Sequence, residues 1–137
     1  LRNSSAASDV YKRQIEESGK KVVMISSHSL SHRHFVTESP LPEDMSKEHI
    51  YNHSQYVWDM KLVDLMREGK MRELIDILPE FTEQTIAETE AGGLTWMMAA
   101  MGFPEYSAEI YGYQSVIGTG NLVAAWDPNS VTREIVL

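Results

Sequence analysis

The sequence predicts an α/β fold, a sheet flanked by helices, and three observations carry that prediction. KVVMIS (residues 21–26) is short, β-branched and free of apolar/polar alternation, as a strand covered on both faces reads. Residues 52–68 repeat apolar side chains at spacings of three and four, the period of an amphipathic helix. EIYGYQSVI (109–117) and LVAAW (122–126) flank GTGN, which makes two strands around a glycine-containing turn. With 137 residues, 42% of them hydrophobic, the chain can build one core.

Taken in order, residues 1–14 (LRNSSAASDVYKRQ) show no sustained period and resemble translated adapter sequence, so they are expected to be a non-native leader. The domain is then expected over residues 15–129. IEESGKK reads as the last turns of a helix stopped at Gly19, making the chain the back part of a larger domain. SHSLSHRHF (27–35) directly follows the predicted strand, and ligands of open α/β sheets collect at the carboxyl ends of strands. Residues 37–49, with Pro40 and Pro42, form a covering loop.

The next helix carries two apolar rows, Tyr56, Met60, Val63 and Met66 beside Trp58, Leu62 and Leu65, and Gly69 ends it. MRELIDIL (71–78) predicts a second short helix, and Pro79 is placed to open a third that runs to Gly102. Gly92 and Gly93 within that third helix cost about 1 kcal/mol each relative to alanine. Close approach of the backbone to another element or to a bound group would offset them. The hairpin is stopped by DPNS, and residues 130–137 are a strand-like tail of uncertain origin.

Charge and composition exclude several functions. Twenty acidic against twelve basic side chains give a net charge of −8, which opposes binding to a phosphate backbone, so no nucleic-acid partner is expected. Without cysteine there is neither a disulfide framework nor a thiolate metal site, which fits a cytoplasmic home. The longest apolar run, LTWMMAAMGF (94–103), is half the roughly 20 residues of a membrane span, so no membrane partner is expected.

Two constellations could carry chemistry. His28, His32 and His34 offer imidazoles that could ligate zinc or iron, or act as an acid/base near neutral pH. Their position after a strand leaves the competing reading of loop histidines bonded to carbonyls. In ETEAGG, Glu88 and Glu90 precede the glycine pair; on a helical face with Thr85, Gly92, Thr95 and Ala99 a carboxylate would be desolvated and would need a cation. The alternative is that both glutamates are solvated. GTGN lacks the third glycine and the following helix of a phosphate loop and reads as a turn, while the eight methionines and three tryptophans read as core. His49 and His53, four apart on an amphipathic stretch, read as solvated or partner-facing and stay outside the site.

SSHSLSHRHF, ESPLPEDMSKEHIYNHSQYVWDM, AETEAGGLTWMMAAMGFPEY and GYQSVIGTGNLVAAW together resemble the C-terminal half of class III (LigB-type) extradiol ring-cleavage dioxygenases. Within that family the likeness is greatest to the catalytic (beta) subunits of the 2-aminophenol 1,6-dioxygenase branch, over residues 15–129. The resemblance implies the C-terminal part of an α/β sandwich with a central sheet flanked by helices. It implies a non-haem Fe(II) enzyme, bound by two histidines and one glutamate, that opens an aromatic ring with O2. The LSH element maps the acid/base histidine onto His32, and ETEAGG maps the metal carboxylate onto Glu88, with Glu90 as alternate. His28 and His34 would line the substrate pocket. Both histidine ligands would lie outside this chain, so the fragment alone is expected to be inactive. The resemblance also implies an oligomer of related subunits acting on an aminophenol, a catechol or a protocatechuate. Two alternatives remain: a non-catalytic partner subunit, and a zinc hydrolase using His28, His32 and His34.

Overall fold

The computed structural model describes residues 2–33 and 49–129. The covering loop, apart from its last residue, and the tail at 130–137 therefore lie outside the described residues. The architecture is mixed α/β, as expected: helices α1 (Arg2–Ser18), α2 (His53–Glu68), α3 (Met71–Thr85) and α4 (Gly92–Ala100), with an antiparallel pair β1 (Glu109–Val116) and β2 (Thr119–Ala125). A single 3-10 turn, Glu88–Ala91, joins α3 to α4. No helix among the described residues is long and apolar enough to cross a membrane.

Helix α1 stops at Ser18, with Gly19 in the left-handed region at φ 61°, as the sequence predicts. It also runs unbroken through the residues expected to be a leader and packs along α4, where the Tyr11 ring meets Trp96 edge-on at 5.7 Å. Helix α2 is capped by Asn52, whose side chain accepts the Gln55 amide N–H at 2.8 Å, and ends where the Gly69 amide reaches the Leu65 and Met66 carbonyls. These bounds match the sequence period.

Two elements differ from expectation. The helices predicted on either side of Pro79 are one, α3, with the proline inside it. An interior proline costs about 3 kcal/mol. The stripe Met71, Leu74, Leu78, Phe81 and Thr85 stays in phase across it, and each large apolar side chain it buries contributes about 1.5–3 kcal/mol, so continuity wins. The long third helix is instead broken at residues 86–91, where Ile86, Thr89, Glu90 and Ala91 all take positive φ. That break turns the chain back toward residues 29–32.

A further difference is at residues 21–26, which form no strand among the described residues; Val23 and Ile25 are 85% and 80% exposed. β-branched composition expresses fit to a pleated, half-buried surface, and a strand exists only where another pairs with it. Ladder contacts begin at Leu30 instead. Its N–H donates to the Gly120 carbonyl at 2.8 Å, and the Gly120 N–H returns to Ser31 O at 3.0 Å. On the other side Glu88 N–H donates to Leu30 O at 3.3 Å, and His32 N–H to Thr85 O at 3.4 Å. Residues 30–32 are thus a short rung held between β2 and the segment after α3.

The hairpin turn is Ile117 and Gly118, both at positive φ, so Thr119 and Gly120 belong to β2 and not to the turn. Beneath the rung and hairpin, Leu62, Met66, Leu74, Phe81, Leu94 and Met98 form the core. In this 137-residue chain, Phe81→Ala is expected to cost about 3–5 kcal/mol and Val23→Ala within about 0.5 kcal/mol. Urea unfolding of both variants checks this; a comparable loss at Val23 would restore a buried strand.

Candidate active site

The site rests on a buried carboxylate. Asp59 lies one turn after Gln55 on the face of α2 that also presents Leu62, Val63 and Met66 to the core. It is fully buried. Its Oδ1 accepts the Ser31 N–H at 3.0 Å, and its Oδ2 accepts the Ser31 hydroxyl at 2.6 Å and the Tyr113 hydroxyl at 2.6 Å. Burial pushes the Asp59 carboxyl above its ordinary range, and the bonds from Ser31 and Tyr113 oppose that shift.

Ser31 Oγ uses its whole capacity. It donates to Asp59 and accepts from Gln55 Nε2 at 2.9 Å and the Gly120 N–H at 3.1 Å. Gln55 Nε2 also donates to the Gly118 carbonyl, tying α2 to the hairpin turn. Gly120 is required by space: a Cβ there would sit 1.9 Å from Asp59 Oδ2.

Side chains alternate along an extended rung, so with Ser31 turned into the core its neighbour His32 faces outward. His32 Nε2 lies 4.0 Å from Glu88 Oε2, and the two side chains are 32% and 33% exposed. Glu88 is placed by the left-handed turn after α3 and accepts the Ser29 N–H through Oε2. That amide bond, with the nearby imidazoles of His32 and His28 acting in the same direction, holds the Glu88 carboxyl below its ordinary range against a smaller opposing effect of burial. A carboxylate so placed is ionised at neutral pH.

His28 is deeper. Its Nδ1 lies 3.1 Å from Ser26 Oγ, and burial lowers its pKa, with the Glu88 charge pulling the other way. It borders a cavity of about 60 Å³ with Ser26, Leu30, Met97, Leu122 and Trp126. The close approach expected at the glycine pair occurs here, since a Cβ on Gly93 would lie 2.9 Å from His28 Nδ1.

The structure therefore brings His32, Glu88 and His28 together and leaves Glu90 exposed on the turn. His34 lies outside the described residues. His49 is tied to the hairpin through its backbone: its carbonyl accepts the Gly118 N–H and the Ser115 hydroxyl, each at 2.9 Å. His53 is exposed at the start of α2, so the two do not share a helical face. The helical face predicted to join Thr85, Glu88, Gly92, Thr95 and Ala99 does not form, because the chain breaks between α3 and α4. Asp59, Ser31, Gln55 and Tyr113 were not singled out by sequence. Their one signal was an acid and an amide, Asp59 and Gln55, in phase with the apolar positions of α2.

Two outcomes test this foundation. Gly120→Ala is expected to cost about 1–3 kcal/mol by overpacking against Asp59, and a stability unchanged in thermal unfolding contradicts the close approach. Asp59, with a folded pKa above its ordinary 3.8, binds more protons folded than unfolded. Its contribution is complete below that value and is lost as pH rises through the raised one. Relative to Asp59→Asn, the native chain should lose stability as pH rises above the ordinary 3.8 of this group; urea titrations at acid and at neutral pH that show a constant difference contradict it.

The family model for the "Catalytic LigB subunit of aromatic ring-opening dioxygenase" matches residues 11–124. The chain is 50% identical over 113 residues to the 2-aminophenol 1,6-dioxygenase beta subunit of Pseudomonas sp, covering 82% of this chain and 37% of that protein. It is 26% identical over 99 residues to the 3,4-dihydroxyphenylacetate 2,3-dioxygenase of Escherichia coli, covering 72% of this chain and 35% of that one. It thus spans little more than a third of the length of these curated relatives. The zinc-hydrolase alternative finds no support in these matches, and its third histidine, His34, lies outside the described residues. A ladder rung ending in His32, a carboxylate turned back to meet it and a family match across most of the sequence agree: this chain belongs to the LigB family of aromatic ring-opening dioxygenases.

Proposed function

We propose that this chain is the part of a non-haem Fe(II) extradiol dioxygenase that supplies the acid/base histidine, His32, and the metal carboxylate, Glu88. The substrate is 2-aminophenol or a catechol, and both atoms of O2 enter the product. The observation that carries this reading is the meeting of His32 Nε2 and Glu88 Oε2 at 4.0 Å on a half-exposed surface of a LigB-family chain.

The donor chemistry fits one corner of an iron site. Glu88, held ionised by the Ser29 amide and two neighbouring imidazoles, is an anionic oxygen ligand of the kind ferrous iron takes. The two histidine ligands come from outside the described residues. When bound, Fe(II) supplies a centre at which ring and O2 are held side by side and electron density passes between them.

The remaining work falls to the chain's own residues. His32, one-third exposed, is reachable by substrate and takes the proton of the ring hydroxyl at Nε2, then returns a proton as the ring opens. An imidazole suits both directions near neutral pH. His28 lines the pocket, a role His34 would share; the burial of His28 favours its neutral form, which offers a hydrogen bond without a competing charge. Because the Pseudomonas relative is a beta subunit, the whole protein is proposed to assemble with a related subunit.

The test uses the full-length protein that carries this segment. After anaerobic Fe(II) loading, it should take up O2 with 2-aminophenol or catechol and form a ring-opened product. Glu88→Ala should lose bound iron. His32→Ala should keep iron and lose about 10²–10⁴-fold in kcat. Retained iron in Glu88→Ala moves the carboxylate role to Glu90; absence of iron from the native protein favours the non-catalytic subunit.

A further inference from the structure

We infer that Asp59 is the positioning residue of this site, a buried clamp that sets where His32 and Glu88 stand relative to each other. The inference rests on the roles proposed above for those two residues. The bonds described for Asp59 go to Ser31 and Tyr113. It grips Ser31, the residue before His32, by both the amide N–H and the hydroxyl, at 3.0 and 2.6 Å. The rung so fixed carries His32 directly, and its Leu30 carbonyl accepts the Glu88 amide at 3.3 Å. Both functional residues therefore take their backbone position from one three-residue segment, and that segment is anchored to α2 at Ser31, doubly by Asp59 and through the hydroxyl alone by Gln55.

The geometry argues for positioning over simple core filling. An apolar side chain at residue 59 would fill the space without fixing the register, whereas two bonds from one carboxylate to one residue fix both its height and its facing. Tyr113 closes the arrangement from β1, its hydroxyl donating to Oδ2 at 2.6 Å, so the carboxylate cannot swing away from Ser31 without breaking a second bond. Its Oδ2 stands in the space that a Cβ on residue 120 would take. The clamp joins α2, the rung and both strands of the hairpin around a single group.

The experiment compares native full-length protein with Asp59→Asn and Tyr113→Phe, reading kcat and KM for O2 uptake with 2-aminophenol, bound iron, and amide hydrogen exchange. Asp59→Asn should lower kcat about tenfold to a hundredfold, with KM within about twofold and iron retained. Exchange of the Leu30, Ser31 and Gly120 amides should accelerate while α3 stays protected. Tyr113→Phe, which removes one donor and leaves Ser31 bonded, should show the same pattern at smaller size and stands in if Asp59→Asn does not fold. Unchanged kcat overturns the inference, as does a loss of kcat that merely follows lost iron or global unfolding. If the native protein opens no aromatic ring, the reading of the site fails separately. Hydrogen exchange then decides the clamp alone: local acceleration sustains it, and unchanged exchange removes it.

Discussion

Everything described here hangs on the pair of hydrogen bonds between the Asp59 carboxylate and Ser31. A buried carboxylate is expensive to desolvate, and the structure offsets that cost with three donors in place of a counter-charge. Those donors come from residues that are far apart in the chain, so satisfying the carboxylate is the same act as bringing the hairpin and the rung onto α2. Take the carboxylate away and the Ser31 N–H would be left short of a partner inside the core, while the Ser31 and Tyr113 hydroxyls would each lose a bond.

Two carboxylates only one rung apart live in opposite electrostatic worlds. Asp59 is enclosed, and burial raises its pKa; Glu88 is one-third exposed, and the Ser29 amide lowers its pKa. The difference divides their duties. A group enclosed by its own protein is out of reach of a substrate or ion and can serve only the architecture. A group ionised at the surface, with imidazoles beside it, is available for chemistry. The single turn of reversed backbone at Thr89, Glu90 and Ala91 places Glu88 on the useful side of that division and leaves Glu90 in solvent.

Sequence patterns reached the elements whose physics is local. The period of α2 and its Gly69 stop, the two strands of the hairpin, and the need for close approach at the glycine pair were all legible, because each depends on neighbours within a few residues. Pro79 misled because a proline rule weighs one lost bond, whereas tertiary burial of Leu78 and Phe81 on either side of it outweighs that bond. The break after Thr85 was invisible because helix-forming residues surround it, and only the fit of Glu88 against Ser29 requires it. For residues 21–26 the β-branched composition was real and the pairing it needs was not among the described residues. His32 and Glu88 could be marked by resemblance, but Asp59 could not be marked by composition, since an acid on a helix reads as solvent-facing until the opposite face is known.

The span of the contacts around Ser31 has a kinetic meaning. Its bonds reach 28 residues to Asp59 and 89 to Gly120; Asp59 reaches 54 to Tyr113, and Ser29 reaches 59 to Glu88. Loops of that size close late, after the helices and the two-residue hairpin have formed from nearby partners. Those spans predict that the rung is among the last parts of the chain to find its place, and that His32 and Glu88 meet only then. On that order the imidazole and the carboxylate stand together only once there is a fold.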